Sequence, residues 1–183
     1  MTSHAQKNRP SDGFARPSLP AFDALDSEHR AVLEALGQLR RLIDALDREG
    51  ITDETRQAAR QISRFFSENA REHHAAEERL VFPTLLKSTN AELVRNVVRL
   101  QQDHGWLEED WLELQPQLEA IANGYNWYDL EMLRHALPVF EQLYRDHIAL
   151  EESMIYPEAR RRQAMADDAV KQRLSQASPS KDG

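Results

Sequence analysis

The sequence contains no cysteine. That absence excludes disulfides, thiolate catalysis, iron–sulfur clusters and cysteine-ligated zinc, and nothing else marks an oxidising compartment. Positive charge is in deficit. Its 23 Lys and Arg face 31 Asp and Glu, and the formal net charge of −8 argues against nucleic acid or an anionic membrane as the main partner. No segment approaches the roughly 18 uncharged apolar residues of a membrane span, and MTSHAQKNRPSDG at the N-terminus lacks the apolar region of a signal peptide. The expectation is a soluble cytoplasmic protein. Runs of β-branched residues are almost missing as well, so the middle of the chain reads as helix. Its 183 residues suffice for one domain with a proper core.

What the sequence does contain is a repeat. Residues 73 to 83 read HHAAEERLVFP and residues 147 to 157 read HIALEESMIYP. His73, Glu77, Glu78, Phe82 and Pro83 thereby match His147, Glu151, Glu152, Tyr156 and Pro157 at a shift of 74. The same shift lays Phe66 on Phe140 and Glu72 on Asp146, and a shift of 75 lays LDSEH, ending at His29, over LQQDH, ending at His104. Two copies of one unit result, each with a lone His on one helix and His-x-x-x-Glu on the next. Positions i and i+4 lie about 40° apart on a helix, so each His shares a face with its Glu.

Periodicity predicts four helices. The first covers about Asp23 to Asp47, with Phe22, Leu25, His29, Val32, Leu36, Leu39, Ile43 and Leu46 on one stripe. Glu49-Gly50 stops it, and Thr52 is suited to cap the second, which carries Ile62, Phe66, His73, Glu77 and Leu80 inward. The third follows Ser88-Thr89-Asn90 with Val97, Gln101, His104 and Trp111 inward; Pro116 is expected to kink or end it, and Ala122-Asn123-Gly124 to close it. The fourth starts near Asn126 and reaches about Arg161, with a kink expected at Pro138. The predicted organisation is a polar, disordered arm over residues 1–20, a bundle over 21–163, and a short helix with a disordered tail over 164–183.

Register counting places the histidines. His29 lies 21 residues before a first turn centred near 50 and His73 lies 23 after it; His104 lies 21 before a turn near 125 and His147 lies 22 after it. Up-and-down helices therefore set all four at one height. Seven residues to one side come Leu36, Phe66, Trp111 and Phe140, and seven to the other come Phe22, Leu80, Val97 and Met154. A polar layer between two apolar layers is the expectation.

Burying such a layer is costly unless a metal or a closed hydrogen-bond network compensates it, and the desolvation cost favours the metal over the purely hydrogen-bonded core. Imidazole and carboxylate without sulfur suit iron or manganese, and zinc less well. Six donors also exceed the need of one tetrahedral zinc. Two carboxylates on opposite helices can bridge two ions, with two histidines on each.

His29, His73-x-x-x-Glu77, His104 and His147-x-x-x-Glu151, with the trailing FP and YP, resemble a hemerythrin-like (HHE cation-binding) domain over about residues 22 to 160. The resemblance implies an all-α, up-and-down antiparallel four-helix bundle holding two non-haem iron ions with an oxo or hydroxo bridge. It further implies that the four histidines are terminal ligands, that Glu77 and Glu151 bridge, and that a small ligand such as dioxygen, nitric oxide or peroxide binds. The role implied is carrier, sensor or scavenger. The alternatives are a di-iron oxidoreductase acting on nitric oxide or peroxide, with a redox partner, and an iron-dependent regulatory module. Repair-type family members share the four-His, two-Glu set but usually add a cysteine-containing N-terminal domain, and this sequence has no cysteine, which argues against that role.

Several residues stand beside this set. Glu108 occupies the position, four after His104, where oxygen-carrying hemerythrins have a fifth histidine. It could ligate, hydrogen-bond a bound molecule or turn to solvent; a third carboxylate would over-neutralise the irons, which favours a proton-handling role with Tyr144 as partner. His74 and Glu78 form another His-x-x-x-Glu pair, but position 148 is Ile, so the repeat assigns them to the helix flank. His4 in the arm and His135 off the stripe are expected in solvent. Trp111 is expected in the core or at a pocket wall. Arg160 to Arg162 suit a helix C-terminus without invoking nucleic acid.

Overall fold

The computed structural model describes residues 19–177. His4, nearly all of the arm expected over 1–20, and the end of the expected tail lie outside them. Leu19 and Pro20 already belong to the first helix.

Among the described residues there are only helices, and they form four antiparallel rods. The first is α1, Leu19–Glu49; the second joins α2, Asp53–Arg64, through a π-helical segment, Phe65–Ala70, to α3, Arg71–Leu80, and ends in the single turn α4, Phe82–Leu85. The third is α5, Ala91–Asn123; the fourth joins α6, Leu130–Leu150, through a π-helical segment, Glu151–Ile155, to α7, Tyr156–Ala177. Each rod packs on the next and the fourth closes on the first, giving an up-and-down four-helix bundle.

The turns are where local chemistry puts them. Gly50 and Gly124 take φ of 68° and 78°, which side chains with a Cβ rarely adopt, and so end α1 and α5. The Thr52 hydroxyl accepts the Thr55 N–H while the Thr55 hydroxyl accepts the Thr52 N–H, a reciprocal cap for α2. Asn90 caps α5 by accepting from the N–H groups of Glu92 and Leu93.

Pro116 lies within α5, which closes at Asn123 before Gly124 as expected, and Pro138 lies within α6. Two boundaries differ from expectation. The fourth rod begins at Leu130 rather than near Asn126, because Asp129 accepts the Met132 N–H as its cap. Residues 164–175 are not a separate helix but part of α7, continuous from Tyr156 to Ala177.

Both π segments adjoin the polar layer. Four-residue steps drift by about 40° each round an α-helix. The wider π turn takes up that drift, so Ile62, Phe66 and Ala70 all stay buried, and Ile155 stays buried beneath Glu151. The apolar residues divide into two clusters. One holds Leu36, Phe66, Trp111 and Phe140. The other holds Phe22 and Val97, with the partly buried Leu80 and Met154 packed against it. Between them lies the polar layer.

Candidate metal centre

Six polar side chains make up that layer. His29, His73, Glu77, His104, His147 and Glu151 are each at most 6 % exposed. α1, α3, α5 and α6 supply one histidine apiece, and the two carboxylates enter one turn beyond His73 and His147.

The Nε2 atoms converge on the carboxylates. His29 Nε2 lies 3.1 Å and His147 Nε2 3.3 Å from Glu151 Oε2. His104 Nε2 lies 3.3 Å and His73 Nε2 3.6 Å from Glu77 Oε2. Two overlapping sets of four follow, each with its donor atoms within 4.8 Å of one another: His29, His73, Glu77 and Glu151, and then Glu77, His104, His147 and Glu151. Both sets contain both carboxylates. Both carboxylates thus lie between the His29–His73 and His104–His147 pairs.

The donors fit a cation because protein groups leave them unsatisfied. Glu77 Oε2, both carboxylate oxygens of Glu151, and the Nε2 atoms of His104 and His147 are buried with no hydrogen-bond partner among the described residues. Each such atom costs about 1–3 kcal/mol unless a ligand completes it. Burial alone would raise the Glu77 carboxyl, but the His104 and His73 imidazoles beside it outweigh burial and hold it below the usual range. Burial pushes Glu151 well above that range, and the Glu77 charge adds to the effect. Two carboxylates so close cannot both ionise unless positive charge comes between them.

The hemerythrin HHE cation-binding domain model matches residues 21–159. The chain belongs to that family. It is also 32 % identical over 126 residues to an uncharacterized protein of Haemophilus influenzae, a match covering 69 % of this chain and 71 % of that protein. No solved structure matches the chain. The family and the buried His/Glu cluster together mark a metal-binding centre.

Around this hemerythrin-like centre runs a ring of carboxylates that pattern reading missed. Each is the sequence neighbour of one layer residue and reaches a histidine on another helix. Glu28 Oε2 lies 2.7 Å from His73 Nδ1, Glu78 Oε1 2.9 Å from His104 Nδ1, and Glu152 Oε1 3.0 Å from His29 Nδ1. Asp103 approaches His147 Nδ1 more loosely, at 3.8 Å. A carboxylate only accepts, so in the three close pairs Nδ1 carries the proton and Nε2 turns its lone pair inward. The signal was present: an acidic residue at i±1 of each motif position.

Glu78 is therefore a partner of His104 and not half of a flank pair. His74 departs from expectation too. Its ring stacks on His104 at 4.1 Å, and its buried Nε2 has no partner. Burial, reinforced by His104 and His147, lowers its pKa well below the ordinary imidazole value and keeps the ring neutral. The exposed Glu108 instead pairs with Arg71 at 2.9 Å, and it belongs to none of the donor groups.

A cavity of about 340 Å³ leads from that Arg71–Glu108 pair to His74 and His104. Tyr144 and Trp111 line it, and the Trp111 indole N–H donates to Ser67 Oγ at 3.1 Å. Trp111 thus serves both core and wall. On the opposite half, the buried Tyr156 hydroxyl donates to Glu77 and lies 3.2 Å from His29 Nε2. His135 is exposed, as expected. Arg160, Arg161 and Arg162 are engaged with Asp26 and Glu158. No helix among the described residues is long and apolar enough to cross a membrane.

Proposed function

We propose that this protein holds two iron ions between Glu77 and Glu151 and uses them to bind a small ligand (dioxygen, nitric oxide or peroxide) as a carrier, sensor or scavenger. His29 and His73 serve one ion, and His104 and His147 the other. The carrying observation is that both four-residue donor sets share the same two carboxylates. Nitrogen and oxygen donors without sulfur favour iron over zinc, and manganese is the nearer competitor. When bound, the irons supply reversible redox change and coordination positions for a small molecule.

The chain's own residues do the rest. Glu28, Glu78 and Glu152 hold three imidazoles in the tautomer that presents Nε2. The two apolar clusters exclude water above and below the layer. The cavity beside His74 and His104 admits a molecule of a few atoms, and burial raises the pKa of the Tyr144 phenol in its wall, so that it stays protonated there.

The test is metal analysis with an optical spectrum, on protein expressed with ample iron and purified without oxygen. About two irons per chain and a spectrum that changes reversibly on adding dioxygen or nitric oxide are expected. One tetrahedral zinc per chain would overturn the reading. Repeated turnover of nitric oxide or peroxide with a reductant would assign the same centre to an oxidoreductase.

A further inference from the structure

The repeat is broken beside the layer, and the breaks fall on opposite halves. His74 corresponds to Ile148, and Phe82 corresponds to Tyr156. Ile148 lies in the apolar cluster and Phe82 stacks beside His104, both as core residues. His74 does something its counterpart cannot. One ring nitrogen each from His74, His104 and His147 can be chosen so that all three lie within 4.8 Å of one another. Its ring centroid is 5.5 Å from that of His147.

Packing does not account for an imidazole there. Stacking on His104 could be done by any flat apolar side chain, and a buried Nε2 with no partner costs about 1–3 kcal/mol that Phe or Leu would avoid. Among the described residues no carboxylate pairs with the His74 ring, in contrast to His29, His73 and His104. An imidazole whose buried Nε2 has no partner among the described residues, beside two other imidazoles, suits a metal.

Resting on the dinuclear reading above, we infer that His74 is a fifth histidine ligand, serving the ion held by His104 and His147. It enters from the cavity side and from the helix that also carries His73. The two ions are then unequal. The half with His104 and His147 has three imidazoles. The half with His29 and His73 has two, with the Tyr156 hydroxyl nearby. The cavity that His74 and His104 line opens on this half of the layer.

The experiment uses full-length protein, stripped by chelator and reloaded with iron(II) without oxygen. Wild type is compared with His74→Ala and His74→Gln. The readouts are iron retained against a competing chelator and the near-infrared ligand-field bands, which report ligand number. Wild type should retain two irons. His74→Ala should keep one iron at wild-type affinity, hold the other about 10- to 100-fold more weakly, and shift one set of bands to lower energy. Millimolar imidazole should reverse both changes in the Ala variant, because the cavity reaches the vacated position.

Equal affinities and unshifted bands in His74→Ala, with helix content matched by circular dichroism, would overturn the assignment. So would full recovery in His74→Gln, since an amide can replace a structural hydrogen bond but is a poor ligand. Wild type that takes up fewer than two irons would overturn the dinuclear reading itself, and this assignment with it.

Discussion

Glu28 Oε2 lies 2.7 Å from His73 Nδ1, although Glu28 belongs to α1 and stands next to His29. One residue of α1 thus faces the layer while its neighbour orients the histidine of the adjoining rod. Glu78 does the same for His104, and Glu152 for His29. The orienting contacts therefore tie the rods together as well as fixing tautomers. Glu28→Ala should weaken metal retention by about 10- to 100-fold while leaving the helix content unchanged, because its side chain is half exposed. Chelator competition on wild type and variant measures it, and unchanged affinity would refute the orienting role.

The layer trades stability for binding. Both Glu151 oxygens are buried and unpartnered, so Glu151→Met should make the metal-free protein more stable by about 1–2 kcal/mol while abolishing binding of at least one ion. Thermal unfolding in chelator should show a midpoint raised by roughly 2–8 °C for a chain of this size. A lowered midpoint would show that the carboxylate supports the metal-free fold.

Glu108 is expected to stay out of the metal centre. Glu108→Gln removes the exposed Arg71 ion pair and should change stability by less than about 0.5 kcal/mol with both metals retained. Loss of one iron at unchanged helix content would make Glu108 a ligand.

The lower end of α7 offers a pH test independent of the metal. Hydrogen bonding from Arg161, with Arg162 adding to it against the opposing effect of burial, lowers the Glu158 carboxyl to about 2. A depressed carboxylate contributes its full stabilisation above the unfolded value near 4.5 and loses it as pH falls from there toward 2. Glu158 faces partly into solvent, so the contribution is at most about 1 kcal/mol. Glu158→Gln should lower the unfolding midpoint by about 2–4 °C at pH 6, and the difference should vanish near pH 2. A difference that persists at pH 2 would assign it to packing.

Much of this protein follows from its sequence alone. The histidine stripe, the capping Thr52, the stop at Gly50 and the count of residues between turns determined four helices and one shared height for His29, His73, His104 and His147. These are local rules, a period of 3.6 and the chemistry of helix ends, and they act within one rod. Even the apolar layers were readable, since Phe66 and Phe140 lie seven residues from their histidines. What only the tertiary structure decided is how neighbouring rods are rotated against one another. That rotation turns His74 toward His104, gives Glu78 to His104 instead of to its own helix, and turns Glu108 out to Arg71. An i,i+4 spacing says that two side chains share a face but not what the face meets. For His74 the repeat pointed the wrong way because it compares sequence with sequence, whereas burial is set by whichever helix lies opposite.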